Sequence, residues 1–238
     1  MSKEAILGAV RRSLGRDPRD SHLAKERVAA HPRGLIPQRG QRDRAGQVDL
    51  FQEQAEGVQA TVVRLASTED VPQAVADYLK RHNLPGDLRV AAHPDLEGLA
   101  WAEKTPMLSV AAGRAEPQDT TSLTGAFAGI AETGTLMLHS GPQGPVTLSF
   151  LPENHIVVLK ASQVVGAYEE AWTRVRETYG EGVLPRTVNF ITGPSRTGDI
   201  EQTILLGAHG PRRLHILLIE DEPEARGPAP APSEDGGA

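Results

Sequence analysis

From Val48 to Ala111 the chain alternates two periodicities, and this limits its possible folds more than any other feature. The β-branched run Ala60-Thr61-Val62-Val63-Arg64-Leu65 and the shorter runs Leu88–Ala92 and Met107–Ala111 read as strands. Between them lie helical patterns over about 48–58, 70–83 and 95–103. In the second of these, Val71, Val75, Tyr78 and Leu79 share a face, and Ser67-Thr68-Glu69-Asp70 supplies its cap. Strands separated by helices must pair in parallel, with the helices packed on the sheet.

The centre of the chain breaks that rhythm. Gly125 to Leu138 reads as two strands meeting at the turn Glu132-Thr133-Gly134-Thr135, and Ser140–Pro145 reads as a Gly/Pro-rich loop. Strands over Val146–Phe150 and His155–Lys160 follow, separated by Pro152, which cannot donate to a ladder. Short connections between consecutive strands add an antiparallel component. A helix over about 165–179 buries Val165, Tyr168, Trp172 and Val175, and the strand Thr187–Thr192 leads into a helix from Asp199 to Gly207. The last strand, Leu214–Ile219, is almost wholly apolar, as a strand covered on both faces should be. The expected fold is an α/β sandwich with a mixed, mainly parallel sheet.

The ends differ from this body. Residues 1–46 hold 11 Lys/Arg against 5 Asp/Glu, leaving 14 against 26 in the remainder. Lys3–Leu14 carries an apolar stripe of Ile6, Leu7, Val10 and Leu14, whereas residues 15–46 lack periodicity and read as an extended basic arm. No aromatic residue is interleaved with the arginines, so the arm is expected to lie on the acidic body or on a sister subunit of a homo-oligomer rather than on nucleic acid. The α/β domain then spans 47–220, and the acidic, Pro/Gly-rich residues 221–238 read as a disordered tail.

The chain has no cysteine, so it offers no thiol nucleophile and no thiolate ligand. Its eight histidines lack metal-binding spacing, which argues against a metal site. Neither a phosphate-binding loop nor a dinucleotide fingerprint is present. With no signal-peptide core and no run long enough to span a membrane, a cytoplasmic protein is expected.

Two turns carry the chemistry. Glu132, flanked by apolar strands, is partly desolvated, which suits a general base or carboxylate nucleophile, although a structural hairpin with Gly134 at positive φ accounts for the turn equally well. In Gly193-Pro194-Ser195-Arg196-Thr197-Gly198-Asp199, hydroxyls and a guanidinium stand where a strand enters a helix, a place for a small anion. Asp199 also serves as a helix cap there. His209, at the end of that helix, is placed for hydrogen bonding or proton transfer. The ligand-binding set is therefore Thr133, Gly134, Thr135, Gly193, Ser195, Arg196, Thr197, Asp199 and His209, with Glu132 as the catalytic candidate and the two turns meeting in one site.

In order along the chain, Ile130-Ala-Glu-Thr-Gly-Thr135, Leu151-Pro-Glu-Asn-His-Ile156, Ile191–Glu201 and Leu206-Gly-Ala-His-Gly-Pro211 resemble motifs of the LUD-domain family, of the lactate utilization protein C type. The resemblance covers about residues 48–220. It implies a three-layer α/β sandwich like that of glucosamine-6-phosphate deaminase, ribose-5-phosphate isomerase and the CoA transferases. It also implies a non-redox part in oxidising L-lactate to pyruvate, with iron–sulfur clusters and a flavin on partner subunits and no cofactor on this chain. Glu132 with Gly134 looks like the Glu-Asn-Gly motif of CoA transferases, Thr133 standing in the Asn position. The alternative it leaves open is a free-standing isomerase or acyl/CoA-transferase-like enzyme.

Overall fold

The computed structural model describes residues 2–15, 21–197 and 205–221. The chain forms two compact units, Met1–Leu35 and Ile36–Ala238. The first contains helix α1 (Lys3–Ser13), whose N-cap Ser2 accepts from the Ala5 amide, and helix α2 (Ser21–Ala30). The second helix corrects the expectation of an extended arm. Leu23-Ala24-Lys25-Glu26-Arg27 are strong helix formers without an apolar period, so propensity is present where periodicity is silent. The helix gives way at His31, at φ 40°, just before Pro32.

The larger unit opens with α3 (Arg44–Gly57), which starts before the apolar pattern does because the Asp43 carboxylate caps the Gly46 amide. Next come β1 (Thr61–Leu65), α4 (Val71–Arg81), β2 (Asp87–Val90), α5 (Trp101–Lys104), β3 (Ser109–Ala112) and β4 (Thr121–Gly125). The Ser67–Asp70 capping box forms as expected. The helix expected over 95–103 is a 3-10 turn at Pro94–Leu96 and the single turn α5, because Gly98 at φ 74° interrupts it.

The chain continues with β5 (Ala128–Ile130), β6 (Thr135–His139), α6 (Thr147–Phe150), β7 (Asn154–Lys160), β8 (Val164–Val165), α7 (Tyr168–Tyr179) and β9 (Val188–Ile191). It closes with β10 (Arg196–Thr197), β11 (Leu205–Leu206) and β12 (Arg213–Ile219). The strand expected over Val146–Phe150 is the one-turn helix α6. Val146, Leu148 and Phe150 alternate with Thr147 and Ser149 as in a strand, but Pro145 and Pro152 leave so short a segment little room to join a ladder.

β1, β12, β7, β4, β2 and β3 form a parallel sheet in that order. Antiparallel pairing occurs outside it, in a second sheet ordered β8-β5-β6-β9, where β5 pairs antiparallel with β6 and β6 with β9, and in the two-stranded β10-β11 ladder. One face of the parallel sheet packs on α4 through Val71, Val75 and Leu79, and the other meets α3 and the second sheet around Phe51, Leu136 and Leu159. Strand β12 sends Leu214, Ile216 and Leu218 to one core and Leu217 and Ile219 to the other, which explains its unbroken apolar run. Helix α7 covers the outer face of the second sheet through Ala171 and Val175.

The helix expected from Asp199 lies mostly outside the described residues. Its last part, Leu205–Leu206, is extended and pairs antiparallel with Arg196–Thr197. The tail beyond Asp221 also lies outside them. No helix among the described residues is long and apolar enough to cross a membrane.

Candidate functional site

The antiparallel register of β6 and β9, with Leu136 opposite Ile191, brings Thr135 and Thr192 together across the ladder. Their hydroxyl oxygens are 2.7 Å apart. The Glu132–Thr135 turn and the loop after β9 therefore adjoin.

A cleft of about 250 Å³ opens beside that loop. Thr192, Gly193, Ser195, Arg196 and His209 line one part of it, and Phe150, Phe190 and Pro211 supply an apolar wall. Gly193, at φ 73°, is needed there, since a Cβ would lie 2.3 Å from the Val58 carbonyl. Arg196 crosses this glycine and donates from Nη2 to the same carbonyl at 2.7 Å, keeping an exposed side chain at the mouth. Ser195 is tied to the opposite bank by its amide to Pro211 and by its carbonyl from the Gly207 amide. Arg196 itself lies in strand β10, and the helix start expected at Asp199 falls outside the described residues.

Glu132 does not line this cleft. It is 5 % exposed, its Oε1 accepts from the Tyr168 amide at the start of α7 at 3.0 Å, and its own amide donates to the Gly166 carbonyl. A carboxylate at a helix start satisfies a donor that has no partner within the helix and complements the helix dipole. The turn grips the other end of Tyr168 too. The phenol lies 3.1 Å from the Thr133 hydroxyl and 3.0 Å from that of Thr135, and those two hydroxyls are 2.7 Å apart. The Tyr168 ring packs 5.4 Å from Phe190, a wall of the cleft. Glu132 and Thr133 thus reach the cleft indirectly, through Tyr168 and Phe190, whereas Thr135 also contacts Thr192 in its wall.

Proton counting limits what Thr192 can offer. Four hydroxyls share four contacts and each brings one hydrogen. When all four contacts form, Thr192 gives its hydrogen to Thr135 and turns only lone pairs outward. It donates into the cleft only when Thr135 supplies the shared hydrogen instead.

The remaining expected residues are less central. Gly134, at φ 63°, admits the backbone of α3, where a Cβ would be 2.2 Å from the Ala55 amide nitrogen. Thr197 is buried and Asp199 lies outside the described residues. No group of three or more His, Asp or Glu able to hold a metal ion occurs among the described residues.

Sequence reasoning missed His155 as part of the site. Fully buried at the inner end of the cleft, its Nε2 lies 2.8 Å from the Thr124 hydroxyl, while Nδ1 has no partner among the described residues. Burial pushes its pKa down to about 3, so the ring is neutral at physiological pH. The available signal was an imidazole inside an otherwise apolar strand. Phe150 and Phe190, both exposed and lining the cleft, fall in runs whose pattern marks them only as strand residues.

Residues 48–219 match the model of the LUD domain. An uncharacterized protein of Neisseria meningitidis serogroup B is 45% identical over 96 residues, which cover 40% of this chain and 40% of that protein. Lactate utilization protein C of Shouchella clausii is 36% identical over 93 residues, covering 39% of this chain and 41% of that protein. The chain thus spans about two fifths of the length of these curated relatives. The crystal structure of a duf162 family protein from Deinococcus radiodurans superimposes with a TM-score of 0.52 at 25% identity, covering 75% of this chain and 99% of that chain.

Proposed function

The chain belongs to the LUD-domain family, and from that premise we propose that it is a non-redox subunit or accessory factor of a system oxidising L-lactate to pyruvate, binding a small carboxylate in the Arg196 cleft. The lactate assignment is supported by relatives bearing the name lactate utilization protein C. The binding role is carried by one observation: Ser195, Arg196 and His209 converge on a cleft with an aromatic wall. A ligand carboxylate would meet the guanidinium and the Ser195 hydroxyl, while its carbon skeleton packs against Phe150 and Phe190.

On this reading the electrons pass to partner subunits that carry iron–sulfur clusters and a flavin. A chain without cysteine has no thiolate to give a cluster, so none of its residues is assigned a step in electron transfer.

A thermal-shift screen tests the reading, because a ligand that binds only the native state raises the melting temperature. Short 2-hydroxy and 2-oxo carboxylates are expected to raise it. If only CoA esters or sugar phosphates do so, the reading gives way to a free-standing isomerase or acyl/CoA-transferase-like enzyme using Glu132. Capture of flavin- and iron–sulfur-containing proteins on the immobilised chain tests the subunit role.

A further inference from the structure

A second, smaller cavity of about 120 Å³ lies at the carboxyl ends of β2 and β4, closed over by the end of β6 and by β9. The carboxyl ends of strands in open α/β sheets are where ligands usually bind. Its lining includes His93, His139, Phe127, Asn189, Gln143 and Ser149, with no Lys, Arg, Asp or Glu among the described lining residues.

His93 is built into position. Its ring lies on Gly125, where a Cβ would come within 2.5 Å of Nδ1 and Cε1, so β4 admits the imidazole only because that residue lacks a side chain. Nδ1 accepts from the Asp95 amide at 3.3 Å, which leaves the single proton of the neutral ring on Nε2. Asp95 is itself held by Lys160 at 2.5 Å. With Nδ1 engaged, Nε2–H is the polar group that His93 can still offer. His139 packs edge-on to Phe127 and lies 3.2 Å from the Tyr179 hydroxyl. Burial holds both imidazoles below the usual histidine range, so they meet a ligand uncharged at neutral pH.

A volume of this size corresponds to about four waters. A bare anion entering it would lose hydration without meeting a cation, which is strongly unfavourable. A molecule that alternates hydroxyls with C–H faces can instead exchange hydrogen bonds with imidazole, amide and hydroxyl groups while lying on Phe127. We propose that this cavity is a second binding site, separate from the Arg196 cleft, for a small uncharged polyol, with His93 Nε2–H as its principal donor. The two sites share a wall, since Ser149 lines both and Thr124, on the polyol side, is hydrogen-bonded to His155 on the other.

Long-range proton–nitrogen spectra of the histidine rings in the full-length protein, titrated with glycerol, test this. Glycerol is expected to shift His93 and His139 saturably and to leave His209 unmoved. In His93→Phe the affinity read from His139 should fall by about tenfold or more, while propionate binding, read at His209, stays near wild type. If His93→Phe does not fold, His93→Gln, which keeps a donor, should weaken glycerol by a smaller factor. The proposal is overturned if glycerol moves neither ring, if the His139 shift keeps its affinity in the foldable variant, or if propionate displaces glycerol from this cavity.

Discussion

Glu132 is engaged as a helix cap, so its removal should register in stability before it registers in binding. Glu132→Ala leaves the Tyr168 amide without its acceptor and is expected to cost about 1–3 kcal/mol in denaturant unfolding. Glu132→Gln retains an acceptor oxygen and should cost about 1 kcal/mol or less. Both should leave carboxylate affinity at the cleft close to wild type, and a loss in Glu132→Gln matching that of Arg196→Ala would move this carboxylate into the binding site. His155 and His215 make a second prediction. Burial lowers their pKa values to about 3 and about 4, below the unfolded value of about 6.5. The unfolded state therefore binds more protons as pH falls below that value, and stability, complete above it, is lost on acidification. Each ring contributes about 1.4 kcal/mol per pH unit between pH 6 and its folded pKa; urea melts of His155→Leu should show a slope shallower by about that amount.

Among the elements, the contact between α3 and the Glu132–Thr135 turn organises the site. Gly134→Ala places a methyl 2.2 Å from a backbone nitrogen at a positive φ, so it should destabilise by about 2 kcal/mol or more in thermal or urea unfolding. An unchanged melting temperature would mean that α3 is not seated on the turn. The same level shows what could be read in the sequence. The alternation of strands and amphipathic helices, the Ser67–Asp70 cap and the doubly covered β12 followed from periodicity and capping chemistry. Helix α2 did not, because its residues favour a helix without marking a buried face. Helix α6 did not, because the alternation of Val146, Leu148 and Phe150 with Thr147 and Ser149 has the period of a strand. In the site, the glycines, hydroxyls and Arg196 stood out as polar interruptions of apolar runs. The aromatic wall and His155 did not, since only the approach of strands far apart in sequence turns them toward a cavity. The capping role of Glu132 depends on Tyr168, 36 residues later, and no local pattern carries that information.

At the scale of the whole molecule, the three buried apolar clusters among the described residues draw on Val48 to Ile219. Removal of residues 1–35 is therefore expected to leave a cooperative melt within a few degrees of the full chain, measured by circular dichroism. Extending the deletion to residue 46 should cost more, because Gly40 packs so closely on Gly166 that a Cβ on either would meet the other's carbonyl oxygen within 2.5 Å, and because Asp43 caps α3. The central claim is that this body binds a small carboxylate at Arg196. Calorimetric titration of the wild type and Arg196→Ala with L-lactate, pyruvate and propionate tests it most directly. Loss of a charged hydrogen-bond partner is worth about 1.5–3 kcal/mol, so affinity should fall by about tenfold or more in the variant while its melting temperature stays near wild type. Equal affinity for every acid in the two proteins, or no binding to the wild type, would contradict the account.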